Sequence, residues 1–396
     1  MSEDKSSFRT VEIHGTGTHN RGAELMTIAV CQQLRKSNAN VRIVVPPRFG
    51  NAIERAEYKL LVNDEFPSRN PYDRIWARVA THRSREILGI VKSAEIDTVL
   101  DASGFAYSDQ WGPNAAKALL KKMNRSYRKN QQLILLPQAL GPFENAEVKS
   151  ACEQLFERSS IVFARDSSSY RYASQICPES KLKLAPDFTL SLKPAGLPST
   201  FSTNQPGKNE RVLIVPNLRM TDKLGSSGKQ EYLDTLTQLV QIVKDTQHAP
   251  AILLHDKDED RKLLPELFEK TGELPVLEHP NPLVLKAILG QARLVIASRF
   301  HALASSLSQA VPSFALGWSH KYELLLNDFN CPEMLLSLSA EQDELKKAIT
   351  GVLAETTQAE LRSRLGVAAA SQKAAVEEMW NTVRTQIAFS NQKKSD

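Results

Sequence analysis

Short apolar runs dense in Val, Ile and Leu recur along the chain, each closing within a few residues on a Gly, a Pro, an amide or a charge. In the first half they are Val11 to Ile13, Val41 to Val45, Thr98 to Leu100, Leu133 to Leu136, Ile161 to Phe163 and Leu182 to Leu184. They are short and β-branched enough to read as buried strands. Helical spacing lies between them, in Ala23 to Leu34 (Leu25, Ile28 and Leu34 on one face), Asn114 to Met123 and Ala146 to Phe156. Strands alternating with helices predict a parallel, doubly wound sheet. From Gly50 to Arg85 the chain is charged and irregular, and the pattern is uninformative there.

Between Lys193 and Arg211 the composition shifts to Pro, Ser, Thr, Gly and Asn, which predicts a linker. The alternation then restarts with strands at Val212 to Val215, Ala251 to Leu254, Pro275 to Leu277, Leu294 to Ile296 and Ser313 to Leu316. Glu231 to Lys244 and Arg261 to Lys270 read as helices, and Glu341 to Leu353 and Gln358 to Ile387 as Ala-, Glu- and Leu-rich C-terminal helices. The expected architecture is α/β: two doubly wound, Rossmann-like domains, residues 1–197 and 208–396, facing a cleft as in the glycosyltransferase-B class.

Leu294 to Tyr322 is the stretch richest in candidate chemistry. Ala297 and Ser298 turn the chain after an apolar strand, and Arg299, Phe300 and His301 stand at the start of a helix with Leu303, Leu307 and Ala310 at helical spacing. Pro312 is expected to end that helix and Gly317 the next strand, leaving Trp318, Ser319, His320 and Lys321 in a loop. Arg299, His301, His320 and Lys321 then fall at two consecutive strand C-termini, the edge where open α/β sheets bind ligands. A helix N-terminus with an arginine on it suits an anion. The opposing reading pairs Arg299 with a core carboxylate and makes His301 a satisfied buried histidine.

The same placement repeats along both halves. Asn20, Asp101, Gln138, Arg165, Asp187, Asn217 with Arg219, and His255 each follow a strand run within a few residues. The loop His14 to Gly22, HGTGTHNRG, matches neither GxGxxG nor a P-loop. Its glycines either bring backbone N–H groups close to a ligand or supply a turn that needs positive φ. In HDKDEDRKLL, Asp256 is expected to cap the helix it precedes, with Asp258 to Asp260 on its first turn; as a metal site, no second ligand set completes it.

Composition narrows the classes. The 396 residues exceed the usual single core, and 50 basic against 45 acidic residues leave a net charge of +5 with no arginine-rich run, so nucleic acid is not implied. Anionic small substrates fit that balance. Cys31, Cys152, Cys177 and Cys331 are scattered without a CxxC pair, which predicts neither disulfides nor zinc and favours a reducing cytoplasm. MSEDKSSFRT lacks an apolar signal core, and no run approaches a membrane span, so membrane contact is expected to be peripheral at most.

The stretch SRFHALASSLSQAVPSFALGWSHKY resembles the signature of the polysaccharide pyruvyl transferase family: Arg-x-His at a helix start, a small-residue helix, a Val-Pro strand and an aromatic-Ser-x-Lys loop. Asn20-Arg21-Gly22-Ala23-Glu24, Leu136-Pro137-Gln138 through Gly141-Pro142, and Ala164-Arg165-Asp166 agree with it, so the likeness runs from about Ile13 to Asp328. The resemblance implies an enzyme that takes phosphoenolpyruvate as donor and places pyruvate on a sugar as a cyclic ketal, and it leaves the acceptor open; a nucleotide- or lipid-linked sugar is expected. No cofactor is expected beyond phosphoenolpyruvate as co-substrate, and no metal, because no cysteine, histidine or carboxylate set has ligand spacing. By the same likeness Arg299 and His301 match the donor-binding pair, with Arg165 as a third contact. Position adds Lys321 to the donor side, and Asn20, Gln138, Asn217, Arg219 and His255 to the acceptor side. His301 is the expected general acid or phosphate clamp, and Asp187 or Asp101 the expected base, unless these are ordinary structural carboxylates. Substitutions at Arg299 and His301 are expected to leave the fold intact. The competing readings are a nucleotide-sugar glycosyltransferase or epimerase on the same scaffold, and a sugar-binding protein without activity.

Overall fold

A computed structural model describes residues 9–65, 81–125, 131–197, 211–223, 225–317 and 320–392. The chain divides into two compact units, Met1–Phe188 with Ala375–Asp396, and Thr189–Ala374. Most of the expected linker, residues 198–210, lies outside the described residues, as do Trp318 and Ser319.

The first unit holds an eight-stranded sheet of β1 (Thr10–His14), β2 (Arg42–Val45), β3 (Leu61–Asn63), β4 (Ile90–Val91), β5 (Thr98–Asp101), β6 (Gln132–Gln138), β7 (Ile161–Ala164) and β8 (Leu182–Leu184). Its order is β4-β3-β2-β1-β5-β6-β7-β8, and every pairing is parallel. The second unit holds β9 (Arg211–Val215), β10 (Ala249–Leu253), β11 (Val276–Leu277), β12 (Leu294–Ala297), β13 (Ser313–Leu316) and β14 (Leu335–Leu336), in the order β11-β10-β9-β12-β13-β14 and again all parallel. Central strands such as β9 and β12 bury nearly every side chain, because helices cover both faces; hence their unbroken Val, Ile and Leu. In each sheet the chain reverses its direction of growth once, between β1 and β5 and between β9 and β12. Those are the switch points at which loops splay apart and leave room for ligands.

Every apolar run predicted as a strand is one, with ends shifted by a residue or two. The region from Gly50 to Arg85, where the pattern was uninformative, does hold elements among its described residues. It contains the helix Ala52–Glu57, opened by an Asn51/Glu54 capping box, then β3, and the helix His82–Ile87. The expected helix Arg261 to Lys270 is a 3₁₀ turn, Arg261–Leu263, leading into Leu264–Thr271 with Pro265 in its first turn. The helix after Arg299 closes at Leu307, before Pro312, through a turn in which Ala310 takes φ +58°. The last helix is longer than predicted, running Glu355–Gln392.

One charged cluster is built into the first sheet. Glu12, fully buried on β1, pairs with Lys122, accepts a hydrogen bond from Asn63 Nδ2 at 3.0 Å and lies 3.7 Å from His14 Nδ1; Lys122 also meets Glu65 at 3.2 Å. Burial alone would raise the Glu12 pKa, but Lys122 together with His14 overrides it and holds the carboxyl at about 2 against an ordinary 4.5. A depressed carboxyl contributes its stability in full above the unfolded pKa and loses it as pH falls through the folded one. Glu12 is therefore expected to add on the order of 3 kcal/mol that fades between about pH 4.5 and 2. Thermal unfolding should show wild-type Tm falling more steeply over that window than Tm of Glu12→Gln. Parallel curves would remove Glu12 from the acid response.

All four cysteines are buried and unbonded, and burial pushes Cys31, Cys152 and Cys331 up to about 12 and Cys177 to about 11, leaving inert thiols. Among the described residues no helix is long and apolar enough to cross a membrane.

Candidate functional site

The second unit's switch point is tied together by polar side chains. Asn217, just past β9, donates from Nδ2 to the Ser298 carbonyl beyond β12 at 2.9 Å, and its Oδ1 accepts the Arg219 N–H at 3.0 Å. Tyr232 Oη accepts the Asn217 N–H at 2.9 Å and donates to Ser298 Oγ at 2.9 Å, while Tyr322 Oη donates to the Ser298 carbonyl at 2.7 Å. Burial pushes both phenols well above the ordinary tyrosine range, so they stay protonated donors. Gly317 makes the Tyr322 approach possible: a Cβ there would lie 2.5 Å from the tyrosine ring. Ser298, and with it the helix start that follows, is thus held from three elements.

Arg299 occupies the N-cap of the helix Phe300–Leu307 but makes no side-chain cap. Its Nε donates to Asp260 Oδ2 at 3.0 Å, its Nη2 to Asp260 Oδ1, and Asp256 lies 3.5 Å away. Asp260 is fully buried and also accepts the Leu218 N–H at 3.0 Å and the Asp256 N–H at 3.2 Å. Burial pushes the Asp260 carboxyl above the ordinary aspartate range, and the guanidinium pulls against it. Two expectations change here. The carboxylates of Asp256 and Asp260 face a guanidinium, so this end of the acidic cluster is the counter-charge of Arg299 rather than only a helix start. Arg299 also carries part of the fold, as the core-carboxylate reading held, with one edge of its fork engaged.

His301, half-buried on the first turn of the same helix, meets the Phe300 ring edge-on at 5.4 Å between centroids. Lys321 Nζ stands 5.8 Å from the Phe300 centroid and 5.3 Å from that of Tyr322, a cation–π arrangement. Arg299, His301 and Lys321 therefore gather around Phe300 at the carboxyl ends of β12 and β13. His320 and Lys321 begin the helix His320–Asp328 instead of lying in a loop, and His320 is exposed, 3.7 Å from Glu323. His255 is buried beyond β10, whereas Arg219 is exposed.

In the first unit the switch point brings Asp101 beside His14. Asp101 is fully buried and accepts from Ser103 Oγ at 2.6 Å, Tyr107 Oη at 2.7 Å and Gln138 Nε2 at 2.9 Å. Gln138, expected on the acceptor side, is itself buried against that carboxylate. Three donors from the first unit thus meet the Asp101 carboxylate. Gly15 takes φ +77°, and a Cβ on it would fall 2.0 Å from Ser103 Oγ, so the positive-φ reading holds for this glycine. Asn20 caps the helix Arg21–Ser37, accepting the N–H groups of Gly22 at 2.7 Å and Ala23 at 3.4 Å. At the ends of β7 and β8, Arg165 Nη1 lies 3.5 Å from Asp187 Oδ2, both buried, and the next residue, Asp166, caps the helix Ser167–Ala173.

Asp260, Ser298, Tyr232 and Tyr322 escaped the sequence reading as members of this cluster. Asp260 stood in an acidic run and Ser298 and Tyr322 at the two ends of the family-like stretch, but sequence spacing reveals no partner for any of them, and Tyr232 left no signal.

Solved structures similar to this chain include HepE (Alr3699) of Anabaena in complex with UDP-glucose, at 15% identity over 97% of this chain and 99% of that one, with a TM-score of 0.58. The UDP-GlcNAc 2-epimerase of Neisseria meningitidis bound to UDP-GlcNAc matches at 12% identity over 95% and 99%, TM-score 0.59. That of Methanocaldococcus jannaschii matches at 12% over 88% and 94%, TM-score 0.54. Identities this low carry a likeness of fold, two parallel-sheet α/β domains of the glycosyltransferase-B class, as the alternation of elements predicted. A comparison with curated proteins finds no match. The polysaccharide pyruvyl transferase family matches residues 20–320, most of the chain. From the capping Asn20 to the helix start at Arg299 and beyond, this chain belongs to the polysaccharide pyruvyl transferase family.

Proposed function

We propose that the protein transfers pyruvate from phosphoenolpyruvate to two hydroxyls of a nucleotide- or lipid-linked sugar, forming a cyclic ketal and releasing phosphate. The observation that carries this reading is the cluster of Arg299, His301 and Lys321 at the carboxyl ends of β12 and β13, the first two within the family match and Lys321 one residue beyond it. Phosphoenolpyruvate bears a carboxylate and a phosphate, and the donors to receive them are the outer N–H groups of Arg299, the ammonium of Lys321 and the amides of the helix N-terminus. His301 protonates the methylene carbon, or else clamps the phosphate. Protonation makes C2 electrophilic; one hydroxyl oxygen bonds to it, the C2–O bond to phosphate breaks with its electron pair on the phosphate oxygen, and the second hydroxyl closes the ketal. Of the two hydroxyl protons, one balances that taken up by the methyl group and the other leaves on phosphate. Asp187, partnered by Arg165, or Asp101 is the carboxylate to take a hydroxyl proton.

HepE is solved with UDP-glucose and the Neisseria meningitidis epimerase with UDP-GlcNAc, which supports a nucleotide-linked form of the acceptor. The buried, unbonded thiols support a reducing cytoplasm as the place of work, with contact at a membrane peripheral at most. Phosphate release from phosphoenolpyruvate against a panel of nucleotide- and lipid-linked sugars tests the reading. Release should require the acceptor, yield a product heavier by a ketal-linked pyruvate, and survive exhaustive chelation. Sugar transfer or 2-epimerisation without consumption of phosphoenolpyruvate would establish the glycosyltransferase or epimerase reading instead.

A further inference from the structure

β1 ends at the first sheet's switch point on His14, two residues beyond Glu12, so both side chains lie on one face of the sheet. Glu12 pairs with Lys122, from the helix Asn114–Arg125, and accepts from Asn63, so the buried carboxylate has its counter-charge without His14. His14 Nδ1 nevertheless faces that carboxylate at 3.7 Å, and this nitrogen is buried without a hydrogen-bond partner among the described residues. The side chain as a whole is 26% exposed. What reaches solvent is therefore the other edge of the ring, which carries Nε2. Thr16 Oγ1, two residues further on, is a second buried polar atom without a hydrogen-bond partner among the described residues. Between them Gly15, at positive φ, packs too closely on Ser103 to admit a Cβ, which pins the loop to the chain leaving β5.

A buried histidine of purely structural use satisfies its ring nitrogens; this one turns one nitrogen to a fixed anion and leaves the other open. Glu12, held at a pKa of about 2, stays ionised at neutral pH. A carboxylate beside Nδ1 keeps the ring proton on that nitrogen and the lone pair on Nε2, which makes Nε2 the base. At 3.7 Å the contact is longer than a hydrogen bond, and contacts of this kind tighten when substrate is bound. The charge around the ring selects what it meets. Glu12 and Glu65 set two carboxylates against the one ammonium of Lys122, and Arg21, at the start of the following helix, is held by Glu24. That balance repels a phosphate or a carboxylate and leaves a neutral hydroxyl unopposed. The Thr16 hydroxyl offers a hydrogen bond to the same group or to its neighbour on a sugar ring.

We infer that His14 is the catalytic base for one acceptor hydroxyl, with Glu12 as the residue that positions it. The chemistry rests on the pyruvyl-transfer reading, whereas the contact with the sugar is measured without turnover. The ketal takes two hydroxyls, and His14 serves one where a carboxylate serves the other. As the hydroxyl oxygen gives a lone pair to C2, its O–H electron pair stays on oxygen and the proton passes to Nε2; the imidazolium then yields that proton to the departing phosphate. Phosphate release is measured on full-length protein with phosphoenolpyruvate and UDP-glucose, UDP-galactose or UDP-GlcNAc. In parallel, carbethoxylation of histidines by diethyl pyrocarbonate is read by peptide mass spectrometry with each sugar present and absent. His14→Ala and His14→Gln should each lower kcat about a hundredfold or more and leave the KM for phosphoenolpyruvate within about twofold of wild type. Added imidazole should restore about tenfold to His14→Ala, and Glu12→Gln should lose about tenfold in kcat without such rescue. In wild type the sugar that supports release should shield His14 while exposed His320 reacts as before. If no sugar supports release but one shields His14 alone, the transfer reading falls and the contact stands; if none does either, both fall. The assignment is overturned if His14→Gln keeps kcat within about threefold of wild type, if imidazole restores nothing to His14→Ala, or if the sugar that supports release leaves His14 unshielded. Should His14→Ala not fold, His14→Gln and the shielding of wild type decide.

Discussion

His301→Asn should lower kcat about a hundredfold or more while phosphoenolpyruvate still binds, if the imidazole is the acid that protonates the methylene carbon. Asparagine keeps a hydrogen-bonding amide of similar reach but cannot deliver a proton near neutral pH. The half-buried ring sits on the first turn of a helix whose start is held by Asn217, Tyr232 and Tyr322, and it rests edge-on against Phe300. An acid fixed in this way transfers its proton without first being oriented. If His301 only clamps phosphate, the KM for phosphoenolpyruvate should rise and kcat recover at saturating donor. Wild-type kinetics in both parameters would sink the assignment, and loss of the folded state would return His301 to the core.

Arg299→Lys should reduce kcat/KM for phosphoenolpyruvate about ten- to hundredfold, with the acceptor KM nearly unchanged, through loss of a charge-assisted contact of roughly 1.5–3 kcal/mol. The structure adds a second effect to that expectation. Lysine cannot reproduce the two-pronged bond to Asp260, a fully buried carboxylate, so Tm should fall as well. Asp260→Asn isolates the positioning role, because it keeps the shape, loses the charge and leaves Arg299 intact. Breaking a buried pair from one side costs about 3–5 kcal/mol, and the presence of Asp256 at 3.5 Å from Arg299 should keep the loss at the lower end. If Asp260 aims the guanidinium at the donor, Asp260→Asn should also raise the KM for phosphoenolpyruvate well below its Tm. A lower Tm with unchanged KM in both variants would make Arg299 an ion-pair residue of the fold and remove it from the donor site.

Strands of the sheet interiors were legible because burial on both faces leaves a continuous apolar signature, as in Val212 to Val215 and Leu294 to Ile296. β3, β4 and β14, of two or three residues at or near a sheet edge, were not, while β8 and β11, equally short, were legible beside Pro186 and Pro275. The helix Ala52–Glu57 had its signal in Asn51 and Glu54, a capping box that irregular flanking sequence obscured. At the candidate site, the helix start at Arg299 and the polar residues beyond each strand could be placed from one dimension. Their partners could not. Arg299 meets Asp260 across 39 residues, and Asp101 meets Gln138 across 37.

The sequence by itself determined the class of fold and the sheet edge on which the polar groups gather, because hydrophobic period and turn chemistry are local properties that survive in one dimension. The family signature around Arg299 and His301 was equally readable, being contiguous. Only the tertiary structure decided which polar groups serve one another. It brought three donors to Asp101, set Asn20 to capping a helix, and turned the acidic run before Arg261 into the counter-charge of Arg299. The physical reason is that a carboxylate, an amide or a guanidinium has the same chemistry in the chain whether it will face solvent, a ligand or a buried partner. Strand order alone brings one of those partners within 3 Å.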